Sequence, residues 1–317
     1  MRFALSYPIV SLDPPPDLLS SAAIADITAA AEAAGFGAVS FTEHPAPPGT
    51  WRDDHGHDAV DPFVGLAVAA ASSATIRLLT YATVVPYRNP FLLAKAAATL
   101  DRVSGGRLVL GVGTGYLRGE FAAVGVDFDE RNALFDEAIA VLRGAWSGEP
   151  VTHRGRHFDA HEIVCRPVPV QPRPPIWIGG NSARTRQRVV EWADGWLPIP
   201  TRGAQVARRS TAALATRERL AEMIDEIRRQ RVQAGRPAGF DVVYTVEQAD
   251  PWAAPDAYLA RVRELEQAGV TWVNVLVGGT RADEIVDGIA AFGAQIIDPD
   301  ARSRPLTASS SSGQAGS

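Results

Sequence analysis

The chain has 317 residues, 46% hydrophobic and 21% charged, with a formal net charge of -5, which allows a large core and lacks the basic surplus that nucleic acid attracts. Nucleic acid is therefore not an expected partner. The one cysteine, Cys165, cannot form an internal disulfide, no secretory signal precedes the first strand-like segment, and the longest apolar stretches fall far below bilayer length, so a cytoplasmic protein with no membrane partner is expected.

Residues 3–7 read as a strand and 20–34 as a helix stopped by Gly35 and Gly37, with a second strand over 38–42. Asp61-Pro62 opens an apolar helix to residue 71, with proline near the first turn, where its missing amide costs nothing. Residues 76–84 are too continuously apolar to be half exposed, as in a strand buried on both faces. Asn89-Pro90 opens a helix to about residue 102, Gly105-Gly106 break it before strand 108–113, and Leu134, Ile139, Val141 and Leu142 mark a helix over 131–146. Residues 147–175 interrupt this alternation: Pro150, Pro167, Pro169, Pro172, Pro174 and Pro175, with Gly155 as a turn, predict a hairpin and an extended connection.

The alternation resumes with strands over 176–179, 195–198, 241–247 and 272–277, and helices over 183–193, 218–234, 256–268 and 282–297. Eight strands alternating with eight helices predict an α/β chain of the (β/α)8 TIM-barrel class, one domain over 1–298 with 147–175 inserted. Residues 299–317 end in a serine-rich run with no apolar content to bury and are expected to form a disordered tail.

In such a barrel the turns after the strands meet on one face, where active sites are built. His44 follows the second strand, and its intrinsic pKa near ~6.5 suits proton transfer or hydrogen bonding to an anionic ring. The competing reading is a loop histidine bonded to its neighbour Glu43. Gly111-Val112-Gly113-Thr114-Gly115 departs from the G-x-G-x-x-G dinucleotide fingerprint, since its third glycine comes one place early; these glycines better suit a flat ring lying against backbone. Gly179-Gly180-Asn181-Ser182 opens a helix whose amides could meet a phosphate, with Arg184 or Arg186 nearby; the alternative is an ordinary helix capped by Ser182. Asp53-Asp54-His55-Gly56-His57-Asp58 has metal-like composition, but a lone H-x-H in a loop does not make a site, and no metal is expected.

Taken in order, Gly35-Phe36-Gly37, Thr42-Glu43-His44, Asp61-Pro62, Pro86-Tyr87-Arg88-Asn89-Pro90, residues 101–107, residues 111–116 and residues 174–180 resemble the luciferase-like flavin and deazaflavin oxidoreductases. The resemblance is concentrated in residues 1 to about 200. It implies a flavin or deazaflavin ring at the strand ends, with His44 at the ring, Thr80-Tyr81-Ala82 as a bulge under it and a non-proline cis peptide near Tyr81-Ala82. It further implies ring contacts at Gly113, Thr114, Gly115 and Tyr116, and the phosphate on Gly179, Gly180, Asn181 and Ser182. Several deazaflavin members carry a glutamate where Tyr116 stands, the nearest carboxylate being Glu120, so the proton donor stays open between Tyr116, Glu120 and another group.

Of 31 basic residues only Lys95 is lysine. This high-GC, actinobacterial-type composition favours coenzyme F420 as cofactor and hydride transfer to or from a small organic substrate. The alternatives are FMN in a two-component monooxygenase, or a flavin-binding barrel without catalysis; a homodimer is allowed.

Overall fold

The computed structural model describes residues 1–9, 14–53, 56–208, 211–247 and 249–298. The expected tail at 299–317, and Asp54 and His55 of the acidic loop, lie outside the described residues.

The elements run β1 (Arg2–Ser6), α1 (Ser21–Ala33), β2 (Ala38–Phe41), α2 (Gly49–Asp53), α3 (Pro62–Ala71), β3 (Arg77–Thr80), β4 (Thr83–Val84), α4 (Pro90–Val103), β5 (Leu108–Gly113), α5 (Arg118–Ala123) and α6 (Arg131–Ala145). Then come β6 (Val151–Arg154), β7 (Asp159–Ile163), β8 (Ile176–Gly179), α7 (Ala183–Glu191), β9 (Gly195–Leu197), α8 (Gln205–Arg208), α9 (Arg217–Gln233), β10 (Asp241–Thr245), α10 (Pro255–Gln267), β11 (Trp272–Leu276) and α11 (Ala282–Phe292). A π-helical turn, Gly293–Ile297, follows α11.

Local chemistry sets the helix starts. Asp61 Oδ1 accepts from the amides of Phe63 at 2.9 Å and Val64 at 3.2 Å ahead of Pro62, and Asn89 Oδ1 accepts from Phe91 at 2.9 Å ahead of Pro90. Ser20, Ser182 and Thr216 cap α1, α7 and α9 in the same way.

The strands pair in parallel, in the order β3-β2-β1-β11-β10-β9-β8-β5-β4, and β3 also pairs with β5, which closes the ring. β3 and β4 act as one interrupted strand, parted by a cis peptide between Tyr81 and Ala82. The sheet is therefore a closed eight-stranded TIM barrel, as the alternation predicts. Its interior is filled by one side chain per strand: Ala4, Ala38, Leu79, Val109, Trp177, Leu197, Val243 and Trp272, with Tyr81 and Ala82 packed against them. The opposite faces of the strands bury Leu5, Val39, Leu78, Leu110, Ile178 and Val242 among the helices. Strands buried on both sides explain why their sequences read as unbroken apolar runs.

Antiparallel β6 and β7 form the hairpin expected in the inserted segment, with Gly155 N–H closing its turn on Phe158 O at 3.0 Å. Among the described residues no helix is long and apolar enough to cross a membrane.

Candidate active site

Every barrel strand points the same way, so His44, the Tyr81-Ala82 bulge, Gly113 to Tyr116 and Gly179 to Ser182 all emerge at the C-terminal end of the barrel. His44 does not bond its neighbour Glu43. Its Nδ1 lies 3.3 Å from both Oε1 and Oε2 of Glu120, 76 residues on. Glu120 is 1% exposed and also accepts from Tyr87 OH at 3.0 Å and from the Ala46 amide at 3.4 Å. This approach depends on Gly119: a Cβ there would stand 2.4 Å from Pro48 Cγ, so only glycine lets α5 lie against the loop that carries Ala46.

The same loop covers the histidine. The Trp51 and His57 rings lie 4.4 Å and 5.1 Å from the His44 ring, and Tyr116 presents its ring edge-to-face at 6.0 Å. Arg52 Nε bonds Asp58 Oδ1 at 3.1 Å and closes the loop, while His57 Nδ1 lies 2.9 Å from Asp58 O. Burial lowers the His57 pKa, which favours the neutral ring. The acidic loop thus supplies a wall to the site. Among the described residues no cluster of three or more His, Cys, Asp or Glu could hold a metal ion.

Glu43 has a structural task. It accepts from the Val84 amide at 2.6 Å and from Arg88, which also reaches Asp61 Oδ2 at 2.8 Å. One carboxylate therefore ties the end of β2 to β4 and to the start of α3. Tyr87 and Arg88, adjacent in sequence, brace Glu120 and Glu43 respectively.

Beyond the bulge, the barrel mouth has a floor nearly devoid of side chains. A Cβ built on Gly113 would meet nothing nearer than Ala82 Cβ and Gly115 N, both at 4.0 Å; one on Gly179 would lie 3.5 Å from Val112 O and 3.9 Å from Ala82 Cβ. Neither glycine has positive φ, so the backbone does not require glycine at these positions. Ala82, Gly113 and Gly179 form adjacent small surfaces that larger side chains would fill.

Two of the sequence-predicted contacts are engaged elsewhere. Thr80 is fully buried and donates its hydroxyl to Gly111 O at 2.7 Å. Asn181 is also fully buried; its amide nitrogen donates to Ile199 O at 2.7 Å and Ala212 O at 3.1 Å, and its Oδ1 accepts from Ile199 N at 2.9 Å. The backbone amides of Gly180 and Asn181 are spent on Leu197 O and Thr211 Oγ1. The turn is rigid: Gly180 has φ +108°, Trp196 Nε1 donates to its carbonyl at 2.7 Å, and Arg186 Nη1 donates to Asn181 O at 2.6 Å. Arg184 pairs with Asp136 at 2.9 Å, so neither arginine expected beside an anion has its guanidinium unengaged. An anion here would meet the amides of Ser182, Ala183 and Arg184, for which the described residues provide no partner.

The residues that sequence reasoning left out of the site are Tyr87, Trp51 and His57, together with Glu120, which it weighed only as a proton donor. Their common signal is the aromatic and acidic content of the segments just after β2, β4 and β5.

A match to the luciferase-like monooxygenase family covers residues 1–249. The chain belongs to that family. Among its relatives is an F420-dependent hydroxymycolic acid dehydrogenase of Mycobacterium tuberculosis, 32% identical over 212 residues, which are 62% of this chain and 58% of that protein. The matched stretch thus spans less than two thirds of that relative's length. Two solved structures share the family's fold. A monooxygenase from Streptomyces bottropensis is 21% identical with a TM-score of 0.71, covering 94% of this chain and 99% of its own. The coenzyme F420-dependent tetrahydromethanopterin reductase of Methanopyrus kandleri is 17% identical with a TM-score of 0.70 and the same coverage, 94% and 99%.

Proposed function

We propose that this protein is an F420-dependent oxidoreductase that exchanges a hydride with a small organic substrate, and that residues 1–298 form its single catalytic domain. The observation that carries the reading is the floor of Ala82, Gly113 and Gly179, where a Cβ built on either glycine meets nothing nearer than 3.5 Å, room against which a flat ring would lie. The choice of deazaflavin over FMN rests on the relative at 32% identity whose name specifies F420; the Streptomyces monooxygenase, at 21%, supports the fold alone.

In this reading Tyr81, Ala82, Gly113, Thr114, Gly115 and Tyr116 contact the ring, and the turn from Gly179 to Ser182 seats the phosphate, with backbone amides closest to the anion. Thr80 and Asn181 serve by fixing the shape of the bulge and the turn through their internal bonds. A bound deazaflavin supplies a two-electron hydride acceptor or donor that reacts poorly with oxygen. His44 holds the proton that accompanies the hydride, receiving it from a substrate hydroxyl in oxidation and returning it to the oxygen in reduction. Trp51, His57 and Tyr116 shield the reacting centre from water.

The test is anaerobic turnover with F420 and its reduced form against a panel of small alcohols, aldehydes and ketones. Oxygen-independent change in deazaflavin absorbance is the expected result. Oxygen consumption with reduced FMN, and no change with F420, would make the protein a monooxygenase instead.

A further inference from the structure

Three segments bring one polar group each to Glu120: His44 from the end of β2, Ala46 from the loop after it, and Tyr87 from the turn after β4, the last two as donors. Oε1 faces the Ala46 amide and Oε2 faces the Tyr87 hydroxyl, so both oxygens act as acceptors. An ionised carboxylate has no donor to offer. His44 Nδ1, 3.3 Å from both oxygens, completes the set only if it carries the proton. Nε2, by contrast, has no hydrogen-bond partner among the described residues and is not among the buried unpartnered atoms.

We infer that Glu120 and Tyr87 are positioning residues that hold His44 in the Nδ1–H tautomer, leaving Nε2 as the atom that exchanges the proton. What Nε2 acts on rests on the proposed function; the tautomer does not. The arrangement is stiff because Tyr87 packs edge-on against Phe121 at 4.8 Å, and Phe121 meets Phe128 at 5.1 Å. Burial first, then the neighbouring Glu120, raise the Tyr87 pKa far above its ordinary value, so its hydroxyl stays a donor. In oxidation of an alcohol the hydroxyl O–H bond breaks and its proton passes to Nε2 while the O–H electrons form the carbonyl; a bound deazaflavin would supply the acceptor for the hydride released from carbon. His44 is then a cation against the Glu120 carboxylate. Reduction runs the same transfers backwards.

The experiment is 15N NMR of histidine-labelled protein without cofactor, with the His44 signal identified by its loss in His44→Gln. The parent should show Nδ1 protonated and Nε2 bare. Glu120→Gln places an amide donor among three donors and should move His44 to the Nε2–H tautomer. With cofactor it should lower kcat on the order of 10²-fold, with cofactor Kd changed less than about threefold. Tyr87→Phe keeps ring volume and should retain the tautomer while lowering kcat about fivefold, the rate equivalent of one ordinary hydrogen bond. An Nε2–H tautomer in the parent, or an Nδ1–H tautomer that survives Glu120→Gln, overturns the inference whatever the cofactor proves to be. Should Glu120→Gln not fold, the parent spectrum and Tyr87→Phe decide it, and unchanged kcat in Tyr87→Phe removes that residue from the device.

Discussion

Glu32, on the strand N-terminal side of the barrel, and Glu120, on the C-terminal side, each gather several donors, but from different sources. Glu32 accepts from the amides of Ala74, Thr75 and Ile76 and from the Thr75 hydroxyl, all within the loop that leads into β3. Nearby, Arg107 donates to the carbonyls of Ala70 at 2.8 Å, Ile76 at 3.1 Å and Ser104 at 2.7 Å, a mostly main-chain set to which the Ser73 hydroxyl adds one side chain. Glu120 instead joins the side chains of His44 and Tyr87, besides the Ala46 amide, and the imidazole it anchors keeps one nitrogen without a partner among the described residues. Main-chain bonding at one end stitches loops together. Side-chain bonding at the other leaves a group available for chemistry.

The largest effect that would break this contrast concerns His44. His44→Ala is expected to cut turnover by ~10²–10⁴ and to leave cofactor affinity within roughly tenfold, about 1.4 kcal/mol. Stopped-flow reduction of the bound cofactor beside a binding titration measures both. Unchanged turnover would return His44 to an ordinary loop residue.

Next is the floor. Gly113→Val has room at the strand end and normal φ, so stability should stay within about 0.5 kcal/mol. Its branched side chain should nevertheless weaken cofactor binding by at least about tenfold, read by titration beside a denaturant melt. Binding as tight as the parent's would place the ring elsewhere.

The smallest effect belongs to the other end. Burial works to raise the Glu32 pKa, but the Thr75 hydroxyl and the amides of Thr75, Ala74 and Ile76 outweigh it and hold the value at about 2. A depressed carboxylate pKa contributes stability above its unfolded value near ~4.3, and that contribution is lost as pH falls through about 2. Solvent around this partly exposed side chain reduces the effect to about 1 kcal/mol. Glu32→Gln should cost that much at neutral pH and converge with the parent in acid, with kcat unchanged. A loss of kcat would show that the two ends are not separate in function.

The barrel was legible because its strands are buried on both faces and its helices begin at Asp-Pro, Asn-Pro and serine caps, which are local signals. α5 was not legible: it is six residues long, carries Gly119 within it and lacks a side-chain cap at Leu117. Missing α5 concealed the partner of His44, because nothing in a sequence pairs a histidine with a carboxylate 76 residues away. The cis peptide at Tyr81-Ala82 was expected from family resemblance and is present. Thr80 and Asn181 illustrate the converse limit: both sit beside the expected ring and phosphate positions, yet a residue type alone cannot show that its polar atoms are spent inside the fold.

The most direct measurement of the central claim is a side-by-side titration of the parent protein with F420 and with FMN, repeated on Gly113→Val. The parent should bind F420 more tightly than FMN, and the variant should bind F420 more weakly than the parent. Tighter binding of FMN, or F420 binding that Gly113→Val leaves unchanged, would contradict it.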